Sequence, residues 1–314
     1  MTRARPDLSV SEDSENGYRS YYGRPVIKEP VWSWEIPWYF FAGGLAGASS
    51  TLSAVARLVG NDPLARRALL VALAAASASP VLLISDLGRP ERFYKMLRVI
   101  KPTSPMSMGT WILTLFGSST GIAAASDVLG IFPRSGRLFG GISALLGPVL
   151  STYTAVLVAD TSVPVWHEAR RELPLVFAAS SAASAGAAAA ILTPVEHAGP
   201  ARRLAVAGAL LEIGAVEMMK RRLGGFLAEP YERGTAGRYD ELAKALSGLG
   251  AAIVGLAGRR RRSTVSAAGA LIIAGAAVER WSVFKAGFQS ARDPKYTIRP
   301  QRERWRAAGA GRSG

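Results

Sequence analysis

Long stretches almost free of charged side chains constrain this chain more than anything else in it. Glu35–Leu58, Ala68–Ile84, Ser107–Ala125, Leu138–Ala159 and Leu173–Leu192 each come close to or reach the roughly 17–25 apolar residues that an α-helix needs to cross a hydrocarbon core. A helix with one face in water would carry a charge every third or fourth residue, and these do not. Three further candidates are weaker. Leu204–Met219 contains Glu212 and Glu217, while Leu242–Ala257 and Val265–Val278 are short and rich in Ala and Gly. The last two read as a hairpin joined by Gly258-Arg259-Arg260-Arg261-Arg262. Inside a bilayer every backbone N–H and C=O must be satisfied within the segment, so these spans must be helical. The prediction is an all-α integral membrane protein with eight transmembrane helices. FAGGLAGASS in the first span and FAASSAASAG in the fifth suggest two related four-helix halves. Gly43, Gly44, Gly47 and the Ala/Ser run Ala178–Ala190 supply the small residues that let membrane helices approach closely.

The charge is +15, with 49% hydrophobic residues. Its position between the apolar runs, rather than along a helix face or among stacking aromatics, favours a membrane over a nucleic acid. Under an eight-span layout most of the 38 Lys and Arg residues fall on the side that holds both termini, which predicts that side to be cytoplasmic. The Arg259–Arg262 cluster lies on the other side. The chain has no cysteine and only two histidines, His167 and His197, both in connections. It therefore carries no thiolate-held cluster or metal, and no histidine pair positioned to ligate haem within the bilayer. The first residues are polar, show no cleavable signal pattern, and read as an arm over 1–31.

The connection Asp86–Trp111 is too polar and proline-broken to cross a bilayer, yet too patterned for a slack linker. Gly88 and Pro90 mark a turn beside Asp86 and Arg89. Phe93, Met96, Leu97 and Ile100 then recur at helical spacing among basic residues, which predicts a short amphipathic helix on the membrane surface. An ordered, charged connection of this kind suits a docking partner or the mouth of a small-molecule site.

Polar groups at membrane depth are the remaining candidates. Glu35 and Tyr39 share a helix face within a belt formed by Trp32, Trp34 and Trp38. Thr152, Tyr153 and Thr154 offer hydroxyls to a quinone carbonyl, or equally to a helix-packing network. Glu212 is the deepest acid and Glu217 lies near the exit of the same span, so the two fit a proton path or a structural pair with an arginine. Arg57 and Arg280 are placed at span ends, where they would snorkel.

Asp86-Leu87-Gly88-Arg89-Pro90 with Arg92-Phe93, then Pro102-Thr103-Ser104-Pro105-Met106-Ser107 and Gly109-Thr110-Trp111, resemble the NrfD/polysulfide reductase membrane-subunit family. Tyr153–Leu157, Val163-Pro164-Val165-Trp166, Leu173-Pro174-Leu175, Arg280–Gly287 and Ser290–Pro294 agree in the same order. The resemblance covers roughly Trp32 to Thr297. It implies two four-helix bundles, at 32–160 and 161–285, followed by a basic tail at 286–314. It also implies an anchor for an iron–sulfur subunit with four 4Fe–4S clusters, completed by a molybdopterin catalytic subunit, with electrons exchanged with menaquinone or ubiquinone and no prosthetic group of its own. By position the quinone residues become Glu35, Tyr39 and Tyr153, with Thr152 beside them. Asp86, Arg89, Pro90 and Arg92 would order the docking loop at the quinone mouth. Two readings stand against this one: an anchor without quinone chemistry, and a proton or small-solute transporter using Glu212.

Overall fold

Proline and cap residues set the helix starts. The computed structural model describes residues 26–257 and 262–310, and the regular structure of these residues is entirely helical. Most of the 1–31 arm and Arg259–Arg261 lie outside the described residues. Helix α1 spans Glu35–Leu58, and α2 (Asp62–Ser85) is capped by the Asn61 side chain, which accepts the Leu64 N–H at 3.3 Å. Helix α3 (Pro105–Leu129) is capped by Ser104 and ends at Gly130, whose φ of 68° needs glycine. Helices α4 (Pro133–Ala159) and the single-turn α5 (Pro164–Glu168) also begin on proline, where the missing N–H costs nothing. There follow α6 (Leu173–Leu192), α7 (Gly199–Glu232), α8 (Gly234–Ala257), α9 (Arg262–Arg292) and α10 (Lys295–Ala310).

By length and composition α2, α3, α4, α6 and α9 can cross a membrane. The other three spans read from the sequence form long helices that fall short of that measure. Ser, Thr and Gly dilute α1, and charges interrupt α7 and α8. Two elements outrun their apolar stretches. Helix α7 continues past Lys220-Arg221-Arg222 to a break at Gly224 (φ 70°, ψ 166°), a conformation open essentially to glycine alone. Helix α9 runs to Arg292, so Arg280 lies within the helix and not at a span end. It is 1% exposed and does not snorkel.

The segment 90–98 is a 3₁₀ helix, Pro90–Arg98, and Ile100 lies beyond it. With three residues per turn, Phe93 and Met96 share an edge, and Met96 is the one residue of the segment that is not exposed. The helix expected there is thus 3₁₀ and not α-helical, and it ends before Ile100.

Helix α1 packs against α2 and α4, with α3 against α4; α6 packs against α7 and α9, with α8 against both of these. The two groups meet chiefly where α6 lies on α1 and α4. The α1–α4 seam shows why small residues occupy it. Gly47 and Gly147 lie back to back, and a Cβ on either would overlap the other's carbonyl. The close approach brings Ser50 Oγ within 2.8 Å of Ser143 Oγ and lets Thr51 donate to the Ala144 carbonyl at 3.1 Å. In lipid, where water does not drive helices together, contacts of this kind carry association. Between the groups Trp166 is fully buried. Its indole N–H donates to the Val283 carbonyl at 2.7 Å, Trp32 stacks on it at 5.8 Å, and its ring occupies the space left by Gly287.

Candidate functional site

The segment 86–111 is tied down at both ends, and each tie leads to polar groups named from the sequence. At its start, Asp86 caps α2 and accepts two hydrogen bonds from Ser33: from the backbone N–H at 3.1 Å and from the hydroxyl at 2.6 Å. The same hydroxyl lies 2.5 Å from Glu35 Oε2. A hydroxyl carries one proton, so Ser33 can donate to only one of the two carboxylates at a time. Ser33, which no sequence pattern marked, thereby joins the entry of α1 to the exit of α2.

At its far end the segment meets Tyr153. The phenol lies directly on Gly109, one turn into α3, where a Cβ would overlap the Tyr153 hydroxyl and the ring carbon that bears it. Tyr39 is 1% exposed, Tyr153 is 8% exposed, and the two phenols are near enough to interact electrostatically. Between the ends the segment is latched on itself. The Val99 carbonyl accepts from Ser107 Oγ at 2.8 Å and from the Trp111 indole at 3.1 Å, and the Lys101 N–H donates to Ser107 Oγ at 3.0 Å. Arg89, Pro90 and Arg92 face outward from this latched platform.

Thr152 takes a different position. Its hydroxyl donates back to the Pro148 carbonyl at 2.9 Å, and it lines a groove where α1, α4, α6 and α7 meet, apart from Tyr39. On the face of α1 next to Glu35 and Tyr39, an apolar groove of about 640 Å³ runs between α1 and α2. Trp34, Trp38, Phe41, Leu45, Leu70 and Leu82 line it, so one end lies beside Ser33, Glu35 and Asp86. Glu35, Tyr39 and Tyr153 do not line this groove, but an apolar groove with a polar group near one end suits a molecule with a polar head and a hydrocarbon tail.

The acids of α7 belong to a second polar group. Glu212 is 3% exposed and takes the Ser247 hydroxyl at 3.4 Å, with the Ser180 hydroxyl also beside it. Beside it on α9 are Glu279 and Arg280. The Arg280 guanidinium lies 3.7 Å over the Phe177 ring and donates to the Phe177 carbonyl at 2.8 Å and to Ser181 Oγ at 3.1 Å. Its Nε and Nη1 have no hydrogen-bond acceptor among the described residues. Glu212 and Arg280 thus influence one another without forming the direct pair considered from the sequence. Glu217 is instead paired with Lys244 at the half-exposed edge, and Lys244 also reaches Asp240 at 2.9 Å. Asp240 pairs with Lys220, both buried between α7 and α8. The sequence does not mark Glu279, Lys220 and Asp240, because each borders an apolar run and reads there as its boundary. Arg57, placed at a span end, pairs with Asp127 at 2.8 Å.

The distinctive stretches of the sequence therefore meet in space. Asp86 reaches the entry of α1, Gly109 seats Tyr153, and Trp166 packs into the Val283–Gly287 face of α9. No curated protein matches the chain. The family model for NrfD, polysulphide reductase, matches it over residues 25–290, and on that match the chain belongs to the NrfD family, a family of membrane subunits of redox complexes.

Proposed function

We infer that this protein is the quinone-reactive membrane subunit of a multi-subunit oxidoreductase. In this reading it passes electrons between a partner subunit carrying four 4Fe–4S clusters and membrane menaquinone or ubiquinone, and a molybdopterin subunit completes the complex. The observation that carries the reading is the double anchorage of 86–111. The surface offered to a partner, through Arg89, Pro90 and Arg92, is bound at one end to Glu35 through Ser33 and at the other to the ring of Tyr153. A partner seated there delivers electrons next to the groups that hold the quinone head. Tyr39 and Tyr153 donate hydrogen bonds to its carbonyls, and the groove between α1 and α2 takes its isoprenoid tail. In this reading Glu35 and Asp86, which share the Ser33 hydroxyl, exchange protons with the quinone head.

All eight long helices cross the membrane in this reading, as the bundles 32–160 and 161–285, with both termini and the 86–111 face cytoplasmic. The charged group from Glu217 and Lys244 inward through Lys220 and Asp240 to Glu279, Arg280 and Glu212 is the route by which a proton would enter the second bundle. The break in α7 at Gly224 lies beyond the charged Lys220–Arg222 end, so it does not supply the mid-membrane interruption that a solute transporter uses.

The test is quinol-linked turnover of the purified complex carrying Tyr153→Phe or Glu35→Gln. Loss of one hydrogen bond to the quinone is worth about 1–1.5 kcal/mol, so turnover at limiting quinol should fall roughly five- to tenfold while the subunits still co-purify. Unchanged turnover in both variants, with the complex intact, would leave a structural anchor.

A further inference from the structure

We propose that the N-terminal third of α7 binds a two-chain anionic phospholipid astride the helix, with its headgroup on Arg203 and one acyl chain on either side. This site is separate from the quinone reading and does not depend on it.

Two grooves flank this part of α7, and they share a wall. One, of about 580 Å³, lies where α7 meets α1, α4 and α6, and is lined by Leu52, Val55, Pro148, Ala178 and Leu204. The other, of about 560 Å³, lies between α7 and α8, and is lined by Val206, Leu210, Val254 and Leu256. Arg203 and Ala207 border both. They stand four residues apart on one face of α7, and so form a ridge with a cation at its outer end and a methyl group further in. At 1.5 Å per residue, the helix from Gly199 to Leu210 covers roughly 16 Å, about the depth of one leaflet of a 30 Å hydrocarbon core. Two apolar grooves on either side of one ridge, the longer bordering α7 from Gly199 to Leu210, suit two acyl chains that leave one headgroup.

The charge selects the headgroup. Neither lining contains an acidic side chain. Arg203 is exposed and makes no hydrogen bond or ion pair among the described residues, and Arg202 borders the second groove beside it. The sequence adds Arg259–Arg262 only a few residues beyond Leu256. A quinone tail would fill one groove and leave Arg203 unanswered. A net-neutral phospholipid would fill both grooves and gain less from the arginines. An anionic diacyl lipid satisfies the grooves and the charge together.

The experiment is native mass spectrometry of the full-length protein, released from nanodiscs that contain equal parts of phosphatidylglycerol and phosphatidylcholine. The expected result is one retained lipid, predominantly phosphatidylglycerol. Each arginine near a headgroup is worth roughly a fivefold preference, so Arg203→Gln should lower the phosphatidylglycerol-to-phosphatidylcholine ratio about fivefold. Arg203 is exposed, so this replacement leaves the packing untouched. Ala207→Trp, which thickens the ridge into both grooves, should reduce retention of either lipid. Equal retention of the two lipids by the wild type would overturn the proposal, as would a ratio unmoved by Arg203→Gln, or displacement of the lipid by added menaquinone.

Discussion

Replacing Gly109 with valine should lower quinol-linked turnover of the complex by at least about tenfold, a larger loss than removing the Tyr153 hydroxyl itself. The Tyr153 ring occupies the volume that a side chain at 109 would need, so even a methyl group there collides with ring carbons. Overpacking of a closely fitted site typically costs about 1–3 kcal/mol and is relieved by moving the softer partner. Here that partner is the tyrosine, since Gly109 belongs to the first turn of a helix fixed by the Ser104 cap and the Val99 latch. Tyr153→Phe removes one hydrogen bond but keeps the ring in place; Gly109→Val displaces ring and hydroxyl together. Turnover measured against quinol concentration checks this, and Gly109→Val in a Tyr153→Ala background should add little further loss. A Gly109→Val protein with wild-type turnover would contradict the proposed role of Tyr153.

The largest effect on stability is expected at Arg280. Its guanidinium is the buried cation beside two buried carboxyl groups, Glu212 and Glu279, each 3% exposed. Arg280→Met conserves much of the volume and leaves Glu212 without its arginine and Glu279 with only Lys220 as a countercharge. Removing one member of a buried charge group costs about 3–5 kcal/mol, far more than such a group contributes relative to an apolar replacement. The thermal midpoint of the purified protein in detergent should therefore fall sharply in Arg280→Met. Adding Glu212→Gln should recover part of the loss, giving a non-zero interaction energy in the double-mutant cycle. Additive losses would mean that the two side chains do not communicate.

What the sequence revealed follows from how apolar runs and charges work in a membrane. Glu35–Leu58 and Leu173–Leu192 have the same ends in sequence and structure, because a charge, a proline or, just past Leu58, Gly60 at φ 75° stops both the run and the helix there. For α7 the two diverge. Lys220 and Arg222 end the apolar run, yet the helix continues because Asp240 and Glu172 answer them from neighbouring elements. Arg280 misled in the same way: the carbonyl and ring of Phe177, more than a hundred residues away, allow it to stay buried. The pairing of Ser33 with Asp86 joins residues separated by 53 positions and leaves no periodic trace. Gly109 was visible as part of a motif, but its reason was not, since a missing side chain says nothing about which ring will fill the gap.

The back-to-back contact of Gly47 and Gly147 bears on how the protein is made. Because that seam is held by shape and not by greasiness, the helices can insert one at a time without it, and the lock forms only after α4 has arrived. Insertion and closure are then separate events, with a window between them in which α1 waits in lipid for a partner synthesised about a hundred residues later. A side chain at residue 47 would leave insertion untouched and block closure. Such a chain would reach the membrane in normal amounts and be removed there by proteolysis, as an unlatched protein rather than a missing one.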